Sequence, residues 1–218
     1  MNISRKFTVF LSNLQFIKYL FVSSILLSNI IATKIIVAGG LIVPAAVVLY
    51  PLTFLFTDVV SEVEGRKSAR DLVMMGFYMS IIMVLILFIG KILPPAPFWK
   101  NQEAYNIILG STPRIVLASM IAYLISQNHD VWAFHWWKQK TSGKHLWMRN
   151  NFSTITSQLI DSVLFIGIAF MGIYPLKTIG IMIFSQYLIK VGIALLDTPF
   201  CYILVRIYGN HREQIQRA

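Results

Sequence analysis

Several apolar runs in this chain are long enough to cross the hydrocarbon core of a bilayer, which takes about 20 residues of helix. One of them extends from about Arg70 to Gly90. The bulk composition agrees. The chain has 218 residues, of which 56% are hydrophobic and 13% charged. Its mean hydropathy is +0.67. A soluble domain carries about a quarter charged residues. A soluble globular enzyme, a disordered chain and a fibrous protein are therefore excluded, and the expectation is a small all-α polytopic membrane protein. The single cysteine, Cys201, excludes an internal disulfide and a cysteine-based metal cluster. The net charge of +10 does not indicate direct nucleic-acid binding, because no basic soluble face accompanies it.

Six transmembrane helices are expected, at about 16–33, 41–64, 70–90, 112–138, 151–172 and 177–208. They form one domain over 16–208, with cytoplasmic segments at 1–15 and 209–218. Six spans put Arg5, Lys6, Lys18, Arg66, Lys67, Arg70, Lys138, Lys140, Lys144, Arg149, Arg206, Arg212 and Arg217 on one side. The other side holds Lys34, Lys91, Lys100, Arg114 and Lys177. Cytoplasmic loops concentrate Lys and Arg, so both termini should be cytoplasmic. The outer loop 91–113 is the longest connection. The five tryptophans fall near span ends, as an interfacial aromatic belt would.

Polar residues inside the spans are the informative ones, because a charge at mid-bilayer costs at least about 2.5–3.5 kcal/mol. The second helix carries Asp58 and Glu62 one turn apart. The fourth carries Arg114, Gln127 and Asp130. The fifth carries Thr154, Gln158 and Asp161 at i, i+4, i+7, one polar stripe. The sixth carries Gln186, Lys190 and Asp197, and the first carries Asn29 and ends at Lys34. A Ser-Gln-x-x-Asp pattern recurs at 126–130 and 157–161. Polar groups from face to face are what an aqueous or alternating-access pathway needs, whereas helix packing alone does not call for so many. Pro44 and Pro51 should kink or break the second helix, and Ala118 and Ala122 give the fourth a small-residue packing face.

Enzyme readings fail. The segment from Asp58 to Arg70 has the wrong spacing for a membrane CDP-alcohol phosphotransferase, and a second acidic pair is missing between Asp71 and Glu103. The histidines lack a His-x-x-x-His pair, and no cofactor is implied.

The ordered motifs resemble those of the queuosine precursor transporter family, also grouped as vitamin-uptake-like transporters. They are Asn29-x-x-Ala32-x-Lys34; Pro51-Leu52-Thr53 leading to Thr57-Asp58-x-x-x-Glu62-x-x-Gly65; Ala69-Arg70 with Gly76-Phe77; Pro113-Arg114 and Ala118-Ser119; Gln127-x-x-Asp130; Leu146-Trp147-x-Arg149-Asn150; Ser153-Thr154-x-x-Ser157-Gln158-x-x-Asp161-Ser162; and Asp197-Thr198-Pro199. Glu64 departs from the pattern, which has an aromatic before the glycine. The resemblance implies six helices arranged similarly to the substrate-binding components of energy-coupling-factor transporters. It also implies uptake of 7-deazaguanines, chiefly 7-cyano-7-deazaguanine, across a bacterial cytoplasmic membrane for tRNA modification.

A deazaguanine offers a ring N–H beside an exocyclic amine, which a carboxylate accepts as a pair. Asp161 or Asp58 suits that edge, and Gln158, Gln127 or Asn29 suits amide contacts. Lys190 or Arg114 suits the carbonyl or nitrile, and Lys34 and Glu62 complete the candidate set. Phe54, Phe77 and Tyr123 are candidate stacking residues. Glu62 with Arg70, Asp130 and Asp197 are alternatively gate or structural pairs. The partners expected are the 7-deazaguanine and the bilayer, with homo-oligomerisation open. Two other functions stay open: a capture component that needs a membrane partner and ATPases, and a structural assembly protein without transport.

Overall fold

The computed structural model describes residues 14–140 and 146–216. Side chains at 50, 130–131, 134–135, 138, 146–151, 153–154, 194–202, 205–207 and 209–216 lie outside that description. The described residues form α1 (Leu14–Ile31), β1 (Ile35–Ala38), β2 (Leu41–Pro44), a 3-10 turn (Ala45–Val48), α2 (Tyr50–Glu64), α3 (Arg66–Ile92), α4 (Gln102–Gly110), α5 (Thr112–Lys140), α6 (Leu146–Phe170) and α7 (Leu176–Gln216). Among the described residues, four stretches are long and apolar enough to cross a membrane: Leu14–Ile31, Arg66–Ile92, Gln102–His129 and Leu176–Ile193. A shorter apolar helix covers Ile155–Phe170.

The chain divides into two compact units. One comprises Met1–Ile31, Ala46–Leu93 and Ile193–Ala218, and the other Ala32–Ala45 and Pro94–Gly192.

In the first unit α1 and α3 meet along a close seam. Leu72, Val73, Gly76, Phe77 and Ser80 are the buried residues of α3, and Ile17, Phe21, Ser24 and Asn29 those of α1. Both sets follow helical spacing. Gly76 permits the approach: a Cβ there would lie 3.0 Å from Ile25 Cδ1 and 3.2 Å from Phe21 Cε1. Phe56, Val59 and Val60 bury one face of α2. Gly65, at φ 94°, lets the chain pass directly from α2 into α3. The last turns of α3 are apolar yet exposed, with Leu85, Ile86, Phe88, Ile89 and Ile92 all more than half accessible. Such a surface is unfavourable in water and suited to lipid.

In the second unit α5 lies along α6. Ile115, Ala118, Ala122, Ser126 and Ala133 are buried on α5, and the small side chains of the three alanines and Ser126 let the two backbones come close. Beyond residue 129, Trp132 stacks on Trp136 at 6.5 Å. Lys140 Nζ lies 5.7 Å above the Trp136 ring, a cation–π contact suited to a membrane interface.

Two expectations are corrected. The second helix does not begin near residue 41. Residues 35–44 form an antiparallel hairpin with Ile36 opposite Val43 and Ala38 opposite Leu41. Gly39 and Gly40, at φ 57° and 82°, close it, as a two-residue hairpin turn with both central residues at positive φ requires. Pro44 also pushes Val43 toward extended backbone. Helix α2 therefore has 15 residues, about 22 Å of rise. Within the connection 91–113, α4 occupies Gln102–Gly110. Helix α7 continues to Gln216, beyond the end expected near 208.

Gly76→Val adds a branched side chain to the tightest point of the α1–α3 seam. It should lower unfolding stability by about 1–3 kcal/mol, read as a reduced thermal midpoint in detergent, while Gly180→Ala, with open space around its Cα, should change little.

Candidate functional site

The most deeply buried charges described lie on α6 and α7. Lys190 Nζ donates to Asp161 Oδ2 in a buried ion pair. Asp161 is 8% exposed and Lys190 5%. Asp161 sits on the face of α6 that also buries Ser157, Ser162 and Ile166. Lys190 sits on the face of α7 that buries Ile179, Met182 and Gln186. The turn between the helices reverses at Gly172, φ 81°, and Tyr174 N–H returns to the carbonyl of Phe170, a helix C-terminal closure that favours glycine. After this turn α7 meets α6 at the Asp161–Lys190 pair, where the long Lys190 stem reaches across to the carboxylate.

An amide flanks the pair on each side. Gln158 is one turn before Asp161 on α6, and Gln186 is one turn before Lys190 on α7. Along the chain, Gln186 is nearer than Lys190 to the 171–175 turn, and Gln158 is farther from it than Asp161. Gln186 is 6% exposed. The Gln158 Oε1 atom is buried and has no hydrogen-bond partner among the described residues. Next to Gln186, Ser185 Oγ accepts the Ile42 N–H at 3.3 Å. The hairpin, whose Val43 and Pro44 are buried, is thereby anchored on α7.

Helix α6 is held by α5 at its C-terminal end and near its middle. Arg114 donates from Nε to the Ile168 carbonyl and from Nη2 to the Met171 carbonyl, both at 2.6 Å. These carbonyls belong to the end of α6 and the residue after it, where the backbone lacks helical donors and the dipole favours a cation. Near the middle of α6 His129 Nδ1 is 3.2 Å from Ser157 Oγ. Arg114 thus acts as a cap that positions α6.

In the first unit Asn29 Nδ2 donates to Ser80 Oγ at 3.2 Å, and Ser80 Oγ donates to the Gly76 carbonyl at 2.8 Å. Asn29 is part of the α1–α3 seam. Phe77 is buried in the same seam. Lys18 Nζ lies 2.6 Å from Glu64 Oε2, which also accepts from Ser68 Oγ. Glu64, the residue that departs from the family pattern, is therefore an anchor between α1 and the α2–α3 junction. Asp58 and Glu62 share a face, as their spacing requires, and that face is exposed. Glu62 and Arg70 are both exposed and form no ion pair with each other among the described residues. Lys34 and Gln127 are also exposed. The side chains of Asp130 and Asp197 lie outside the described residues.

The structure thus brings together Gln158, Asp161 and Lys190 from the expected set. Gln186 joins them, as its i, i+4 relation to Lys190 could have indicated. His129 and Ser157 were not singled out as a contact, because nothing in sequence links positions 28 residues apart.

Residues 44–204 match the family model described as "Putative vitamin uptake transporter". The chain belongs to that family. It is also 32% identical over 184 residues to a Bacillus subtilis (strain 168) protein named "Probable queuosine precursor transporter", covering 84% of this chain and 80% of the relative. No solved structure matches. The family and the relative are transporters, so the activity of this vitamin uptake transporter family member is transport and not catalysis. Its apolar helices make it a multi-pass membrane protein.

In this transporter the buried pair is a polar junction between two helices. A carboxylate offers about four acceptor positions and an ammonium three donors, so the junction can engage a ligand that has both donors and acceptors. Removing one partner leaves an uncompensated buried charge, which costs about 3–5 kcal/mol. Lys190→Met should therefore be strongly destabilised, and adding Asp161→Asn to it should restore much of the loss. Thermal unfolding of the two variants beside wild type in the same detergent checks this, and equal stabilities for the single and double variants would contradict it.

Proposed function

We propose that this transporter imports queuosine precursors, 7-cyano-7-deazaguanine and related 7-deazaguanines, across a bacterial cytoplasmic membrane for tRNA modification. The observation that carries the reading is the buried Asp161–Lys190 pair. A 7-deazaguanine has a ring N–H beside an exocyclic amine, and next to them a carbonyl. Asp161 accepts the first two as a planar charge-assisted pair, and Lys190 donates to the third. The substrate thereby takes over interactions that the two side chains make with each other in its absence. That exchange limits the cost of separating buried charges. The printed name of the Bacillus subtilis relative supports the same substrate class. The bias of Lys and Arg toward one side supports cytoplasmic termini.

The test is accumulation of 7-cyano-7-deazaguanine in bacterial cells unable to make it. They would express this chain alone, wild type beside Asp161→Asn, at matched membrane levels. Saturable uptake is expected for wild type, with a loss of at least about tenfold in the variant, the scale of a buried charge-assisted contact. Binding by purified protein without uptake would instead indicate a capture component that needs a membrane partner and ATPases. Neither binding nor uptake would overturn the substrate assignment and favour a structural role.

A further inference from the structure

Gln158 has a buried carbonyl oxygen that nothing among the described residues satisfies. Buried acceptors are almost always paired, because an unmet one retains the cost of leaving water. This one belongs to the residue one turn from Asp161, at the edge of the ion pair. The residue on the other flank, Gln186, is itself buried. An acceptor in that position is matched by a ligand that brings its own donor, and the donor cannot be one already held by Asp161.

We infer that Gln158 is the specificity-determining residue that accepts the N–H on the five-membered ring of the substrate, and that the transporter therefore selects the free base over forms substituted at that nitrogen, nucleosides included. The inference rests on the transport reading above and adds a second point of recognition to it. The axial offset from Gln158 to Asp161 is about 4.5 Å along α6, within the span of a fused bicyclic ring. A planar ligand whose amine and six-ring N–H face Asp161 carries its five-ring N–H to one side of them. On this arrangement that side faces Gln158, while the carbonyl faces Lys190. A substituent on the five-ring nitrogen removes the donor and places bulk against a buried amide. Sites that hydrogen-bond a donor reject analogues lacking it far more strongly than apolar sites reject a missing methylene.

The test measures binding of 7-cyano-7-deazaguanine and of its derivative methylated at the five-ring nitrogen. The full chain would be in lipid nanodiscs, as wild type, Gln158→Glu and Gln158→Met. Wild type should prefer the parent base by at least about tenfold. Gln158→Glu, which keeps an acceptor, should retain that preference. Gln158→Met should bind the parent about tenfold more weakly, and its ratio between the two ligands should fall toward one. Gln158→Ala removes the same acceptor without added bulk and replaces Gln158→Met if that variant does not accumulate. Equal wild-type binding of both ligands would overturn the inference and leave the substrate assignment standing. So would a ratio unchanged by loss of the acceptor, since bulk alone would then explain the preference. Wild type that binds neither ligand would overturn the substrate assignment, and this inference with it.

Discussion

Neither Asp161 nor Lys190 is a residue that a membrane helix can bury alone. Each charge, desolvated without a counter-charge, is worth several kcal/mol against folding. Together they make a junction between α6 and α7 that holds only while both helices keep their rotation and depth. Much of the second unit follows from that requirement. The small residues of α5 bring it close along α6. Arg114 clamps the end of α6 through two backbone carbonyls. His129 meets Ser157 one turn before Asp161. On the other partner, Ser185 anchors the hairpin to α7 five residues before Lys190. The polar pair is thus supported by contacts that are mostly directed at the backbone and bring together residues far apart in sequence, without further buried charge among the described residues.

The first unit uses different physics. Its seam depends on a missing side chain at Gly76, so that Phe21 and Ile25 can rest against the backbone of α3. In lipid, where association gains little from the hydrophobic effect, close packing and interhelical hydrogen bonds take its place. The Asn29–Ser80 contact one turn further along supplies the second of these. The apolar final turns of α3 then lie outside the seam, as a surface for acyl chains. Lys18 and Glu64 tie the start of α1 to the junction of α2 and α3. An acidic residue in place of an aromatic there is explained by the lysine it meets.

The family resemblance and the transport function were legible because they rest on ordered short motifs and on charge where lipid should be. Gln158 and Asp161 were legible as a pair because helical spacing alone puts them on one face. The expected second helix takes in the hairpin's second strand, 41–44, although the hairpin's signal is present: two apolar, largely β-branched runs about Gly39-Gly40, ending at Pro44. The apolar run outweighed the turn chemistry. Arg114 was read as a candidate for the substrate carbonyl. Its engagement with Ile168 and Met171 depends on an approach between positions more than 50 residues apart, which no local pattern encodes.

The sequence by itself determined that this chain lives in a membrane, that it is built from helices, and which side chains are too costly to face lipid. These are properties of composition and of periodicity within one element. Only the tertiary structure decided which costly residues meet. It paired Lys190 with Asp161, exposed the Asp58–Glu62 face, turned Asn29 into a packing contact and left the Gln158 oxygen buried without a partner among the described residues. The reason is physical. A buried charge must find its counter-charge across space, and the rotation of neighbouring helices, set by small residues and backbone caps far away in sequence, determines which one it reaches.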